Sequence, residues 1–266
     1  MSTRWRVIRA STILLGIVVI LGGMVLLLVH ALDAHHTPRV VRYPAHEYLY
    51  MEREASNGFK LHVLQTQPSN ITFETIRNNL SLSDYYGING GFFYESALLS
   101  MAVVNGNPVA GAPNHYGSGS ENAKYPRGTL VWDEIANKLS VQVVSTVSEL
   151  QVRDRAHFWA QGGISMSLGL DEEWLMRAQL ENAPNMDEDR LRTAAVYDNS
   201  GRLYLVVSST KGTLEAFRTA IIEQVGAGQL ADGIFLDGDG SSQMQVAETV
   251  LPGDNRPVVQ MIRLIH

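Results

Sequence analysis

Among the 266 residues there is no cysteine, which excludes a disulfide framework, a thiolate metal site and a thiol nucleophile. Clustered positive charge is missing as well: 21 Lys and Arg stand against 27 Asp and Glu, a formal net charge of -6. A nucleic-acid backbone is held by basic patches, so no nucleic-acid partner is expected, and any phosphate the chain recognises is a single one. Internal repeats and low-complexity tracts are also lacking. What remains is 45% hydrophobic and 18% charged, the composition of one folded domain with an appendage.

The appendage is N-terminal. Residues 10–29 carry no charge and are dominated by Ile, Leu and Val. A helix rising about 1.5 Å per residue covers about 30 Å of hydrocarbon over that length, and the run exceeds the roughly 7 to 15 apolar residues of a secretory signal. Arg4, Arg6 and Arg9 precede it, so the N-terminus is expected in the cytoplasm and the rest outside. The expected organisation is a basic cytoplasmic segment at 1–9, a single transmembrane anchor at 10–29, a tether at 30–46 and a globular domain at 47–266. Cleavage after Val29-His30-Ala31 is the competing reading.

Within the domain, β-rich segments at 48–51, 59–65 and 71–76 are separated by turn signals, Asn57-Gly58 among them. Further strands are predicted at 101–104, 108–109, 128–132 and 139–144. Helices are predicted at 148–160, at 171–180 with Asp171 as cap, and at 213–225 with Thr213 as cap and Gly226 as stop. The last lies between strands at 203–207 and 233–236, an arrangement that predicts a crossover and a locally parallel pair. The fold class is α+β: a twisted mixed β-sheet with packed helices, preceded by one N-terminal transmembrane helix. The loop at 111–127, with His115 and Tyr116, reads as a lid.

Three segments carry chemistry. In Ile234-Phe235-Leu236-Asp237-Gly238-Asp239-Gly240-Ser241-Ser242, an apolar strand runs into acids and hydroxyls on a glycine-rich turn. Upstream, Asn89-Gly90-Gly91-Phe92-Phe93 sets one polar side chain beside adjacent glycines. Between them, Arg190-Leu191-Arg192-Thr193-Ala194 brings arginine into a strand. In this order the three segments resemble those of the phosphodiester glycosidase family, which removes a sugar from a sugar-1-phosphodiester. The likeness spans roughly residue 60 to the C-terminus. One departure is Asp239, where the family usually has glycine.

The resemblance implies a hydrolase acting on a carbohydrate phosphodiester. Its leaving group is a phosphomonoester, so neutralising charge matters more than protonating oxygen, and Arg192 offers phosphate a planar fork of donors. Asp237 or Asp239 would face the positive charge developing at the sugar ring or activate water. Asn89, Ser241 and Ser242 would orient the substrate, and the N–H groups around Gly90, Gly91, Gly238 and Gly240 would form an anion nest. The chemistry requires no cofactor. A divalent cation on Asp237 and Asp239 stays open, although an EF-hand fails at its sixth position, Ser242. The full expectation is a membrane-anchored exocytoplasmic phosphodiester glycosidase acting on an envelope or extracellular polysaccharide. Alternatives are a non-catalytic carbohydrate-binding or assembly module and a metal-dependent phosphoesterase.

Overall fold

A computed structural model describes residues 16–17, 19–28, 40–111 and 118–266. They fall into two compact units, Met1–Val40 and Val41–His266. In the first, residues 19–28 are helical, and among the described residues no helix is long and apolar enough to cross a membrane. The expected anchor reaches beyond that helix into residues 10–15, 18 and 29, which lie outside the described residues, as do 30–39 of the tether and 112–117 of the predicted lid. Residues 41–46 belong to the second unit, where Ala45 is buried and the Tyr43 ring stacks on Tyr85.

The second unit is α+β and built from three antiparallel sheets of six, five and five strands with a two-stranded ribbon. At the centre of the first sheet lie Thr193–Asp198, Leu203–Ser208 and Leu230–Phe235. Period-two alternation divides their side chains between two cores. Ala195, Leu205, Val207 and Ile234 face the core shared with Phe73, Ile88, Leu130 and Trp159 of the other two sheets. Ala194, Val196, Val206 and Phe235 face Leu214, Phe217, Ala220 and Ile221 of the helix Leu214–Gln224. Both faces are covered, which is why these strands read as continuous apolar runs. The helix begins as expected, with Thr213 Oγ1 accepting from Ala216 N at 3.2 Å, and Gly226 beyond its end adopts φ +69°.

Three expectations are corrected. The sheets are antiparallel, not mixed: the strands flanking the helix both pair with Thr193–Asp198, which lies between them and excludes the parallel pair. Residues 148–160 are not a helix. Arg155 donates to the carbonyls of Val147, Ser148 and Leu150, and Phe158–Gly162 is a strand buried between two partners, so tertiary pairing overrides local propensity. The helix at Trp174–Leu180 is shorter than expected: it starts after Glu173, which makes no side-chain cap, and the Asp171 carboxylate two residues earlier accepts from Arg218 at 2.7 Å.

Candidate active site

The strand Leu230–Phe235 runs out toward Asp237, and its antiparallel neighbour Thr193–Asp198 begins beside it with Ala194 opposite Phe235. Opposite polarity thus brings Arg192 and Asp237 to one sheet end. The third-sheet strand Gly87–Asn89 ends at the same place, with Asp237 N donating to Gly90 O at 3.2 Å and Leu236 N to Thr193 O at 2.8 Å. Asn89 Nδ2 donates to the carbonyls of Asp237 at 2.8 Å and Gly90 at 3.3 Å. Its Oδ1 accepts from the Thr193 hydroxyl and the Gln243 N–H, each at 3.0 Å. Thr193 has one proton to give and gives it to Asn89, so the Ser242 hydroxyl 3.0 Å away must donate to Thr193. The three sequence segments are one hydrogen-bonded unit.

Asn89 is therefore a clip, not a ligand-facing amide: it is 1% exposed and all four of its hydrogen-bonding positions are used. Asn89→Ala would strand the Asp237 carbonyl and the Thr193 hydroxyl. The expected loss is about 2 to 4 kcal/mol of stability in chemical denaturation.

In front of the clip opens a cavity of about 380 Å³. Arg192, Asp237, Gly238, Asp239 and Ser241 line it; Asn89, Gly90, Gly91, Gly240 and Ser242 do not. The expected nest at Gly90 and Gly91 is replaced by packing. Gly90 N donates to Gln260 O at 2.9 Å and Gly91 N to Gln260 Oε1 at 3.1 Å, and a Cβ on Gly91 would meet Ser100 Cβ at 2.5 Å. Phe92 and Phe93 are half-buried and line the cavity.

Burial pushes the Asp237 carboxyl up to about 7, against hydrogen bonds from the Ser241 hydroxyl and the Gly238 N–H that favour its ionised form. Nearby Arg256 lowers it and Asp239 raises it. Arg192 is 6% exposed. Its Nε donates to Gly212 O at 3.0 Å and its Nη2 to Asn185 O and Glu188 O, both at 2.7 Å. Burial brings its pKa down to about 10, so it remains a cation at neutral pH. Asp239 sits at φ 56° and its carboxylate lies 3.2 Å from Arg190 Nη1 and 3.6 Å from Arg256 Nη2.

Arg127, Arg190 and Arg256 also line the cavity and were not singled out in the sequence. Arg190 had a signal, since residues two apart in an extended segment share a side with Arg192. Arg127 enters from the second sheet and Arg256 from the turn before Val258–Leu264, and only long-range strand pairing brings them in. Among the described residues no three His, Asp or Glu side chains are grouped to hold a metal ion. Asp239 faces two guanidinium groups instead, and Glu248, the twelfth loop position, accepts from Tyr48 at 2.8 Å.

No family model matches the chain, and no curated protein does. Among solved structures, the catalytic domain of zebrafish N-acetylglucosamine-1-phosphodiester alpha-N-acetylglucosaminidase, auto-inhibited by its pro-peptide, is similar at a TM-score of 0.57 and 12% identity. That match covers 86% of this chain and 87% of that one. A Synechocystis protein of undefined role matches at 0.42 and 13%, over 81% of this chain and 61% of the other. An exported protein of Burkholderia pseudomallei matches at 0.48 and 12%, over 79% and 74%. The likeness to the zebrafish domain is one of fold.

Proposed function

We propose that the chain is a phosphodiester glycosidase that hydrolyses a sugar-1-phosphate diester at the anomeric carbon. The observation that supports this most is the convergence of the three segments through Asn89, Thr193 and Ser242 on one cavity, which holds a carboxyl titrating near 7 and several guanidinium groups. A carboxyl with that pKa is matched to proton transfer at neutral pH. In this reading water attacks the anomeric carbon, the bond from that carbon to the phosphate oxygen breaks, and the phosphomonoester departs with the bonding pair. Ionised Asp237 faces the charge growing on the ring and takes the water proton. Arg192, fixed by three carbonyls, offsets the charge collecting on the leaving phosphate. The half-buried rings of Phe92 and Phe93 give the sugar an apolar surface to lie on.

The apolar run at 10–29 and the arginines before it support a membrane-anchored protein whose domain lies outside the cytoplasm, with an envelope or extracellular polysaccharide as substrate. The full-length protein is then expected to stay with membranes after a carbonate wash, and protease added outside cells should degrade the domain. Recovery of a soluble form starting near Leu32 would show cleavage instead.

A panel of sugar-1-phosphodiesters tests the activity. Free reducing sugar should appear from at least one of them and vanish with Asp237→Asn. Binding without release would make the chain a carbohydrate-binding module, and activity abolished by a chelator would make it a metal-dependent phosphoesterase.

A further inference from the structure

Around the cavity's guanidinium groups Arg190, Arg192 and Arg256 stand, among the described residues, the carboxylates of Glu188, Asp189, Asp237, Asp239 and Asp254. Glu188 accepts from Arg190 at 2.6 Å, and Asp254 pairs with Arg256. Asp239 is the one that bridges two of them, Arg190 and Arg256, and it lies close enough to Arg192 to favour that residue's charged form. Glu188 and Asp254 flank the cavity from outside its lining, whereas Asp239 is part of that lining and a third exposed. Its backbone is fixed in the left-handed region, with the N–H donating to Leu191 O at 2.7 Å and the carbonyl accepting from Ser242 N at 3.0 Å. The side chain, by contrast, is held among the described residues by the two ion pairs alone. A carboxylate is thus placed where the guanidinium groups would meet an incoming anion.

We infer that Asp239 is the charge filter of the site, a specificity-determining residue that selects a singly charged phosphodiester over a doubly charged phosphomonoester. This rests on the phosphodiester reading of the cavity. A singly charged diester brings one negative charge to Arg190 and Arg256 beside Asp239, with Asp237 also ionised at pH 8. A monoester, with a second pKa near 6, brings about two charges at pH 8 and meets twice the repulsion from Asp239. The same filter favours release of the phosphomonoester product. Because Coulomb energy is linear in ligand charge, whatever factor Asp239 costs a monoanion is squared for a dianion.

The test uses full-length protein, wild type against Asp239→Asn and Asp239→Gly, titrated calorimetrically at pH 8 with dimethyl phosphate and with methyl phosphate. Both replacements tolerate φ 56°, and thermal melts verify folding. Removing the charge is expected to tighten dimethyl phosphate roughly tenfold and methyl phosphate roughly 100-fold. Equal gains for the two ligands, no gain in either variant, or no binding by any form overturns the inference. The readout needs no turnover: unequal gains without sugar release from any diester would leave the filter standing and remove the glycosidase reading. Sugar release with equal gains would do the reverse.

Discussion

Asp237→Asn should abolish sugar release while making the protein more stable at pH 8. Both effects come from one property, the carboxyl held near 7 by burial. The unfolded chain loses this proton near the ordinary value of 3.8, and the folded chain keeps it until about 7. Between those values the native state binds more protons than the unfolded one, so stability falls as pH rises across the window and stays lowered above it. Burial sets this value against Ser241, Gly238 and Arg256, which lower it, with Asp239 adding to it, and all of these neighbours are retained in the variant. The neutral amide removes the penalty, and the expected gain at pH 8 is about 1 to 3 kcal/mol after discounting for water in the cavity. Below about pH 4 the two proteins should melt alike. Activity runs the opposite way: the wild-type rate should climb as pH rises through about 7, and the variant should lose roughly 10²- to 10⁴-fold with no such limb. A variant that is active, or less stable at pH 8, would show that Asp237 is an ordinary structural carboxylate.

Arg192→Lys should cost both activity and stability. The guanidinium reaches the carbonyls of Gly212, Asn185 and Glu188 from two separate nitrogens, and a lysine has one. At least one carbonyl then loses its donor, an expected loss of about 1 to 3 kcal/mol in denaturant unfolding. Burial that lowers the arginine to about 10 acts on an ammonium that starts lower, near 10.4, so part of the cationic charge is also lost near neutrality. Transition-state binding should weaken by about 1.5 to 3 kcal/mol, read as a fall in kcat/KM. Near-normal turnover and melting in this variant would remove Arg192 from the site.

Much of the second unit was legible because its local signals agree with its tertiary structure. The hairpin at Asn57-Gly58 and the helix after Thr213 are examples, each with a turn or cap residue that does what its type predicts. Sheet topology was not legible, since strands buried on both faces lose the alternation that would reveal register and neighbours. The stretch at 148–160 misled for a different reason: what decides it is Arg155 closing on three carbonyls and Trp159 pairing with Val104 and Trp132. At the site, the sequence brought out Asp237 and Arg192, which reach the cavity, but could not tell front from back. Asn89 and the glycine pair look like ligand contacts because polar groups and glycine suit any close approach. Here the approaching groups are the Asp237 backbone and Gln260.

Hydrolysis of a sugar-1-phosphodiester in oxygen-18 water puts the central claim to its most direct measurement. Attack at the anomeric carbon places the label on the released sugar and leaves the phosphomonoester unlabelled, which is the result expected of wild type. Label on the phosphate would mean cleavage between phosphorus and oxygen, and would contradict the account.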